Sequence, residues 1–215
     1  YNRFVELISR LFVPLNILLH LLFGEETGIY FIDSTTIKAC HNKRRYRNKV
    51  FAGLAKASKS SMGYFYGFKL HAIINHKGEF MALKMTKGNV DDRTPVPELS
   101  KGLTGVMAAD KGYIKQNLFI ELYEQGLKMI HGIKKNMKNK LMDLNEKILL
   151  RKRSIVETVF DYLKNKMDIE HTRHRSAINA FVHIVSTLVA YSLKKHKPSI
   201  NFSYSGSAPI SLIPN

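Results

Sequence analysis

The fold prediction depends on one stretch of the sequence, Arg153-Ser154-Ile155-Val156-Glu157-Thr158-Val159-Phe160-Asp161-Tyr162-Leu163-Lys164. At about 100° per residue, its apolar residues form one broad arc, which is typical of a helix packed on a core. Arg153, Glu157 and Lys164 lie on another side, within about 40° of one another, and form a narrow stripe. We therefore predict that Glu157 faces a site to which the fold brings two aspartates.

Two short apolar runs of β-type residues, 28–33 and 105–110, each end on an aspartate. Among the seventeen acidic residues of the chain, only Asp33 and Asp110 stand at the carboxyl end of such a run. The sites of open α/β sheets lie at the carboxyl ends of the strands. If these two strands are parallel neighbours, their aspartates meet at one edge of the sheet, where Glu157 can join them.

The rest of the chain alternates between strand and helix patterns. We predict helices at about 3–23, 91–100, 115–125, 146–167 and 177–195, a β-hairpin over 64–74 and 79–86, and a strand over 127–132. This order favours an α/β fold with a mixed five-stranded sheet flanked by helices. We expect three regions, namely a helical connector over 1–28, an α/β domain over 29–196 with a basic loop at 38–62, and an extended tail over 197–215.

The chain is strongly basic, with a net charge of +17 and a pI near 9.9. This balance favours a polyanionic partner, although a basic surface that serves solubility is the alternative. Positions 34–78 hold ten basic and no acidic residues. The loop at 38–62 is predicted to be a phosphate-contacting arm or else a solvated insertion, in which Tyr46 and Phe51 could stack on bases. The same two interpretations apply equally to the basic run 134–140.

Neither a disulfide nor a membrane span is predicted. Cys40 is the only cysteine, which indicates a reducing compartment. The apolar segment 11–23 contains Pro14 and is shorter than the ~20 residues that cross a bilayer. Because the chain begins on Tyr1 and not on methionine, we expect a further N-terminal part to precede it.

Three carboxylates that converge on one point repel each other unless cations share the site. Mg²⁺ or Mn²⁺, which prefer oxygen ligands, would suit Asp33, Asp110 and Glu157. Two such ions, ~3.5–4 Å apart, can activate the attacking oxygen at a phosphodiester and stabilise the leaving oxygen. A zinc site is not expected, because His71, His76 and His131 show no paired ligand spacing and Cys40 stands alone.

Each candidate residue also has a structural interpretation. Glu157 could form only an i,i+4 ion pair with Arg153, and the two strand-end aspartates could be ordinary turn residues. Asp92 could be an acid that supports the site, but a helix N-cap is the better prediction. His71, in the middle of an aromatic strand, is predicted to be a hydrogen-bonded, half-buried histidine and not a catalytic one.

Five sequence blocks resemble the successive blocks of bacterial insertion-sequence transposases with a DDE domain. They are, in order, Phe31–Thr35, Gly67–His71, Thr86–Asn89 followed by Asp92, Ala109–Tyr113 and Arg153–Lys164. The last block is the most specific, since that family carries an arginine, three residues, a glutamate, six residues and a lysine, and this chain keeps the spacing. The resemblance covers about residues 29–195.

The resemblance implies an RNase H-like fold in which Asp33, Asp110 and Glu157 form the catalytic, metal-binding triad. It implies cleavage of double-stranded DNA at terminal inverted repeats and joining of the freed 3′ ends to target DNA, by a homodimer assembled on DNA in the bacterial cytoplasm, associated with the nucleoid. Arg153 would orient Glu157 or contact the DNA backbone. Further DNA contacts are expected from Lys164, Lys111, Lys43, Arg44, Arg45 and Arg47.

One position departs from the family pattern. The family often has a tyrosine three residues before the arginine, where this chain has Leu150, so the base-handling or hairpin step attributed to that tyrosine is not implied here. Two functions remain, a metal-dependent DNA strand-transfer enzyme and a non-catalytic DNA-binding remnant of one. Both predict DNA affinity that falls steeply with salt. Only the enzyme predicts nicking that depends on a divalent ion.

Overall fold

The computed structural model describes residues 2–60, 63–133, 142–171 and 174–201. Within these ranges the strands are β1 (Ile29–Cys40), β2 (Lys56–Ser60), β3 (Gly63–Asn75), β4 (Phe80–Lys87), β5 (Gly105–Ala109) and β6 (Leu127–His131). They form one mixed six-stranded sheet in the order β2-β3-β1-β5-β6, and β4 also pairs with β3. The sheet has one strand more than predicted, because β2 lies inside the segment predicted to be a loop.

The helices are α1 (Asn2–Ile8), α2 (Phe12–Leu21), α3 (Val96–Leu99), α4 (Gln116–Glu124), α5 (Leu144–Lys152), α6 (Ser154–Asn165) and α7 (Ala177–Ser192). Short 3-10 turns are formed by Ser9–Leu11, Asn42–Arg47 and Lys111–Tyr113. The predicted hairpin is β3 and β4, and the helix predicted at about 91–100 is the single turn α3. The basic run 134–140 and most of the predicted tail lie outside the described residues.

The sheet has a different core on each face, and the alternation of side chains along a strand decides which core each residue joins. On one face, Phe31 and Ala108 pack with the apolar side of α6 and with α7. On the other face, Tyr30 and Met107 pack with α3 and α4. Asp33 continues the alternation of Phe31, so its side chain belongs to the α6 face.

Strand β1 is longer than predicted. Its parallel pairing with β5 stops at Phe31 and Ala108, but its antiparallel pairing with β3 continues to Cys40. The prediction that Asp33 ends a strand is therefore wrong, because β3 supplies hydrogen-bond partners beyond it. Asp33 instead lies just beyond the last residue of β1 that pairs with β5. From this point on, the edge of β1 that faces away from β3 is no longer paired with β5.

The prediction of a basic loop at 38–62 is wrong in part. Residues Asn42–Arg47 form a 3-10 turn, and β2 follows. Phe51 is buried, and its ring centroid lies 5.7 Å from that of Phe68. Phe51 is therefore a core residue that cannot stack on a base, whereas Tyr46 is 85% exposed.

The helix predicted over 146–167 is divided at Arg153 into α5 and α6. The amide of Arg153 donates to the carbonyl of Leu150 at 3.4 Å, and the amide of Val156 donates to the carbonyl of Arg153 at 3.1 Å. These i→i−3 bonds turn the chain more tightly than an α-helix does. Leu150 packs against the core. The predicted apolar arc is confirmed, since α6 buries Ile155, Val156, Val159, Phe160 and Leu163.

The N-terminal helices form a nearly continuous helical stretch over Asn2–Leu21, as predicted for residues 3–23. α2 packs against α7 and buries Leu19. This helical stretch of 20 residues is longer than the apolar segment 11–23. With a mean hydropathy of 1.6, it is long and apolar enough to span a bilayer by length and composition. One such helix near the N-terminus is weak evidence for a span, because core helices and signal sequences share these properties.

Candidate active site

Arg153 joins two of the predicted site carboxylates. Its Nη1 lies 3.0 Å from Oδ2 of Asp33, and its Nη2 lies 2.6 Å from Oε1 of Glu157. Asp33 reaches this point from β1 and Glu157 from the first turn of α6. The i,i+4 pair of Glu157 with Arg153 is therefore present, but it is one half of a bridge that ties α6 to β1.

Asp33 is held in position by a hydrogen bond, and its surroundings raise its pKa. Its Oδ1 accepts a hydrogen bond from the amide of Ser34 at 2.8 Å. Burial raises the pKa of Asp33 to about 6; the negative charges of Glu157 and Asp110 add to this rise, while the Ser34 amide and Arg153 oppose it. Glu157 and Asp110 therefore lie close enough to Asp33 to affect its pKa.

Asp110 follows β5 directly and precedes the 3-10 turn Lys111–Tyr113. Because Phe31 and Ala108 are register partners, Asp33 and Asp110 each stand two residues beyond the same rung of the sheet. Asp110 is exposed, and its side chain makes no capping hydrogen bond to the turn. Its carboxylate is thus accessible beside the open side of β1.

No three His, Cys, Asp or Glu side chains within the described ranges are arranged to share one metal ion. At the predicted site, the guanidinium of Arg153 supplies one positive charge, which offsets part of the negative charge of Asp33 and Glu157. The donor chemistry nevertheless fits a hard divalent cation, since the three predicted ligands offer only carboxylate oxygens. A cation that binds here must compete with Arg153 for two of them.

The raised pKa of Asp33 predicts how stability changes with pH. The folded chain keeps a proton on Asp33 up to about pH 6, whereas an unfolded aspartate releases it near pH 4. Protonation of Asp33 therefore favours the fold at low pH. This contribution, about 3 kcal/mol, is lost as the pH rises from about 4 through about 6.

Urea unfolding of the wild type and Asp33→Asn, without divalent ions, measures this contribution. The variant is expected to gain stability relative to the wild type as the pH rises through this range, because it has no carboxyl to ionise. A difference in unfolding free energy between the two proteins that stays constant with pH would show that the pKa of Asp33 is not raised in the folded chain.

Asp92 supports the site, although the sequence favoured a helix cap. That N-cap prediction is wrong, because α3 begins after Pro95 and no side chain caps it. Oδ1 of Asp92 instead accepts hydrogen bonds from Oγ of Ser34 at 2.7 Å and from Nζ of Lys69 at 3.0 Å. Since the amide of Ser34 also binds Asp33, Asp92 holds the residue that positions a predicted metal ligand.

His71 lies beside this network and is buried more deeply than predicted. Its Nε2 lies 2.8 Å from Oγ1 of Thr86, and its Nδ1 lies 3.9 Å from Oδ1 of Asp92. Nδ1 has no hydrogen-bond partner within the described part of the chain. Burial lowers the pKa of His71 to about 4, so the ring is neutral at physiological pH.

Removing the Asp92 carboxylate is expected to destabilise the fold. In Asp92→Ala, Nζ of Lys69, whose side chain is only 15% exposed, loses its charged acceptor. The free energy of unfolding should fall by about 2 kcal/mol in a urea titration. Asp91→Ala is the matched control, because it breaks an exposed pair with Arg93 and should cost less than about 1 kcal/mol. If both variants lose the same free energy of unfolding, Asp92 contributes no more to the fold than an exposed ion pair does.

Lys164 lies on the same side of α6 as Glu157, two turns further on. Its Nζ is 3.4 Å from Oγ1 of Thr36 and 3.3 Å from Oε1 of Glu170. Lys164 is therefore placed next to β1, just past Asp33.

The other predicted DNA-contacting residues form two groups. Lys111 is exposed, directly follows Asp110, and runs so close to Gly132 that a Cβ there would lie 2.9 Å from its Cε. The second group lies on the 3-10 turn after β1, and the structure does not bring it to the predicted carboxylates: Lys43, Arg44, Arg45 and Arg47. Within it, Cζ of Arg45 lies 4.5 Å from the ring centroid of Tyr46.

A mixed sheet with helices on both faces, and with a glutamate-bearing helix beside two aspartate-bearing parallel strands, defines the RNase H-like transposase class of fold. A family model described as "Transposase DDE domain" matches residues 23–177. The match covers well over half of the chain, so the protein belongs to the transposase DDE-domain family.

Among solved structures, the chain is similar to the piggyBac transposase in the cryo-EM structure of its synaptic complex with hairpin DNA. The TM-score is 0.50 at 10% sequence identity, and the match covers 82% of this chain and 50% of that chain. This likeness concerns the fold, and the chain spans half the length of the piggyBac transposase chain. A search of the curated proteins gives no match.

Proposed function

We propose that this chain is the catalytic domain of an insertion-sequence transposase that cleaves phosphodiester bonds at the ends of the element and transfers the 3′ ends to target DNA. Membership of the family supports transposition. The observation that carries the catalytic part is the meeting of Asp33 and Glu157 on one guanidinium, with Asp110 acting on the same region.

In this proposal Asp33, Asp110 and Glu157 hold Mg²⁺ or Mn²⁺, as two ions. When bound, such ions activate the attacking oxygen and stabilise the leaving oxygen of a phosphodiester. The three side chains are prepared differently for this task. The amide of Ser34 fixes Asp33, whereas Asp110 is exposed and the Glu157 side chain is 55% exposed. One fixed and two accessible carboxylates suit a site that a DNA backbone must enter.

We assign Arg153 two successive roles. Without a cation, its guanidinium balances part of the negative charge of Asp33 and Glu157. Once a divalent cation carries that balance, the guanidinium is free to donate to a backbone phosphate, for which its planar fork is well suited. Lys164 offers a second cationic contact two turns along α6.

The proposed partner is double-stranded DNA, comprising terminal inverted repeats and target DNA, and the net charge of +17 supports a polyanion. DNA contacts are assigned to Arg153, Lys164, Lys111, Lys43, Arg44, Arg45 and Arg47. We further propose a homodimer assembled on DNA and a nucleoid-associated place in the bacterial cytoplasm. The single free cysteine, Cys40, is in keeping with a reducing compartment.

The test is incubation with terminal-repeat DNA and either Mg²⁺ or Mn²⁺, with the products separated on a denaturing gel. Nicked and strand-transfer products are expected with the ions and not with a chelator. Equal nicking in the chelator would rule out the metal-dependent mechanism.

A non-catalytic DNA-binding remnant is the second candidate. It is favoured by two observations. The described residues include no group of three side chains arranged to share a metal ion, and Arg153 already pairs with two of the predicted ligands. Salt-dependent DNA binding without nicking in either ion would support this candidate and exclude the enzyme.

A further inference from the structure

Three histidines gather where the segment after α6 meets α7. The ring centroid of His171 lies 5.0 Å from that of His174 and 5.7 Å from that of His183, and the rings of His174 and His183 are 5.3 Å apart. His171 and His174 follow α6, whereas His183 belongs to α7. We call these three residues the histidine cluster. It shares no residue with the predicted active site.

The spacing of the rings in the histidine cluster is that of histidines around one metal ion. Zn²⁺ binds imidazole nitrogens at about 2.0–2.1 Å, which places the centre of each ring about 3.2 Å from the ion. Tetrahedral directions then separate the ring centres by about 5 Å. Packed aromatic rings also lie at such distances. The nitrogen atoms therefore decide between a metal site and simple packing.

Each ring has one nitrogen that can bind a metal. Nε2 of His183 donates to the backbone carbonyl of Asp168 at 2.9 Å, so the lone pair of the neutral ring lies on Nδ1. Nδ1 of His171 lies 3.7 Å from Oδ2 of Asp168, which favours a proton on Nδ1 and a lone pair on Nε2. Nε2 of His174 is buried and has no hydrogen-bond partner among the described residues.

Asp168 orients two of the three rings. Metal-bound histidines usually donate their other ring N–H to a carboxylate or a backbone carbonyl, which fixes the tautomer and the orientation of the ring. Asp168 offers its carbonyl to His183 and its carboxylate to His171. With a φ of 50°, it is the only non-glycine residue of the described chain in the left-handed region. This backbone turn lets one residue serve two histidines.

The histidine cluster also favours neutral rings, the form in which histidine binds metals. Burial lowers the pKa of His174, and the charges that His183 and His171 carry when protonated lower it further. Three protonated rings at these distances repel each other. A single ion bound by three neutral rings has no such cost.

We propose that His171, His174 and His183 bind one transition-metal ion of the Zn²⁺ type, at a site separate from the predicted carboxylate site. In the described structure no three donor side chains are yet arranged around one point, so the site closes when the ion binds. His171 is exposed, and the χ2 torsion of histidine has a broad minimum, so the rings can turn their free nitrogens towards one ion.

The ligand type separates this ion from the one proposed for catalysis. Imidazole nitrogens suit Zn²⁺ and similar transition metals, whereas carboxylates suit Mg²⁺ and Mn²⁺. The ion ties α7 to the segment that follows α6, the helix that carries Glu157. The inference does not depend on the proposed function, because it requires neither DNA nor nicking.

The test uses Zn²⁺ as the probe and Asp110→Asn with Glu157→Gln as the background, so that the predicted acids no longer form a metal site. The full chain is freed of metal with a chelator and titrated with Zn²⁺ by isothermal calorimetry. One ion per chain is expected. At a hundredfold excess of Zn²⁺ over Kd, the thermal unfolding midpoint should rise by about 5–10 °C.

His171→Gln and His183→Gln, made separately in this background, are each expected to weaken Zn²⁺ binding more than about a hundredfold, because each removes a ligand. The matched control is His20→Gln with His196→Gln, which removes two exposed histidines elsewhere and should bind Zn²⁺ like the background. Circular dichroism checks that every variant is folded.

The absorption spectrum of bound Co²⁺ identifies the ligands. A site of nitrogen and oxygen ligands should show no thiolate charge-transfer band. Such a band would assign the ion to Cys40, which lines a cavity together with His174, and would overturn the three-histidine site. Absence of Zn²⁺ binding in the background would also overturn it, as would an equal loss of binding in the control and in the two cluster variants.

Discussion

Asp110→Asn and Glu157→Gln are each expected to reduce divalent-ion-dependent nicking by at least about a thousandfold, because a metal held by carboxylates supplies several kcal/mol of transition-state stabilisation. Both changes keep the size of the side chain and remove its charge. Neither should unfold the protein, since Asp110 is exposed and the Glu157 side chain is 55% exposed. Rates of product formation on terminal-repeat DNA, measured in Mg²⁺ and in Mn²⁺, provide the test.

Asp161→Asn is the matched control for these variants. Asp161 is an exposed carboxylate on the same helix, and its Oδ1 accepts from the side chain of Asn165 on the outer surface. We expect it to nick at the wild-type rate. If Asp110→Asn and Glu157→Gln nick as fast as Asp161→Asn, the three predicted carboxylates are not catalytic.

Arg153→Met is expected to destabilise the metal-free protein at neutral pH by about 2 kcal/mol, because it removes the positive charge beside Asp33 and Glu157, so that Asp33 either stays ionised without a partner or has to take up a proton. The value is set below that of a fully buried pair, since the side chains of Arg153 and Asp33 are 20% and 22% exposed. The loss should shrink towards about pH 4, where Asp33 is protonated in either protein. Urea unfolding at the two pH values measures the effect.

The same variant tests whether Arg153 competes with a cation. Without the guanidinium, Mg²⁺ should bind more tightly and should restore more stability to Arg153→Met than it adds to the wild type. Arg153→Lys is the control, because it keeps a positive charge but cannot bridge two carboxylates with a planar fork. An Arg153→Met protein that matches the wild type in both metal-free stability and response to Mg²⁺ would show that the bridge has no energetic role.

Much of the fold could be predicted because the deciding patterns are local. The apolar arc of α6 follows from the helical period, and β5, β6 and the hairpin of β3 and β4 follow from short apolar runs separated by turn residues. Because the helices must bury their apolar sides against the two faces of one sheet, only a few arrangements of these elements are possible. The family block from Arg153 to Lys164 is also local, which is why it could be recognised without a structure.

The errors concern interactions between residues distant in the chain. Strand β1 extends past Asp33 because β3 continues to pair with it, and no property of residues 34–40 alone indicates this partner. The neighbours of Asp92 in the sequence predict a helix cap, but its Oδ1 accepts hydrogen bonds from Ser34 on β1 and Lys69 on β3. Phe51 stands in a basic segment, yet it joins the core against Phe68.

The sequence by itself determined the fold class, the apolar face of α6 and the three acidic residues that became candidates for the site, because these depend on periodicity and on residue order. Tertiary structure alone decided what surrounds them. It placed Arg153 between Asp33 and Glu157, placed Asp92 where it holds Ser34 beside Asp33, and brought basic residues from two segments more than a hundred residues apart, after β1 and before α7, to one cavity. The physical reason is that hydrogen bonds, ion pairs and electrostatic repulsion act over a few ångströms in space, whatever the separation along the chain.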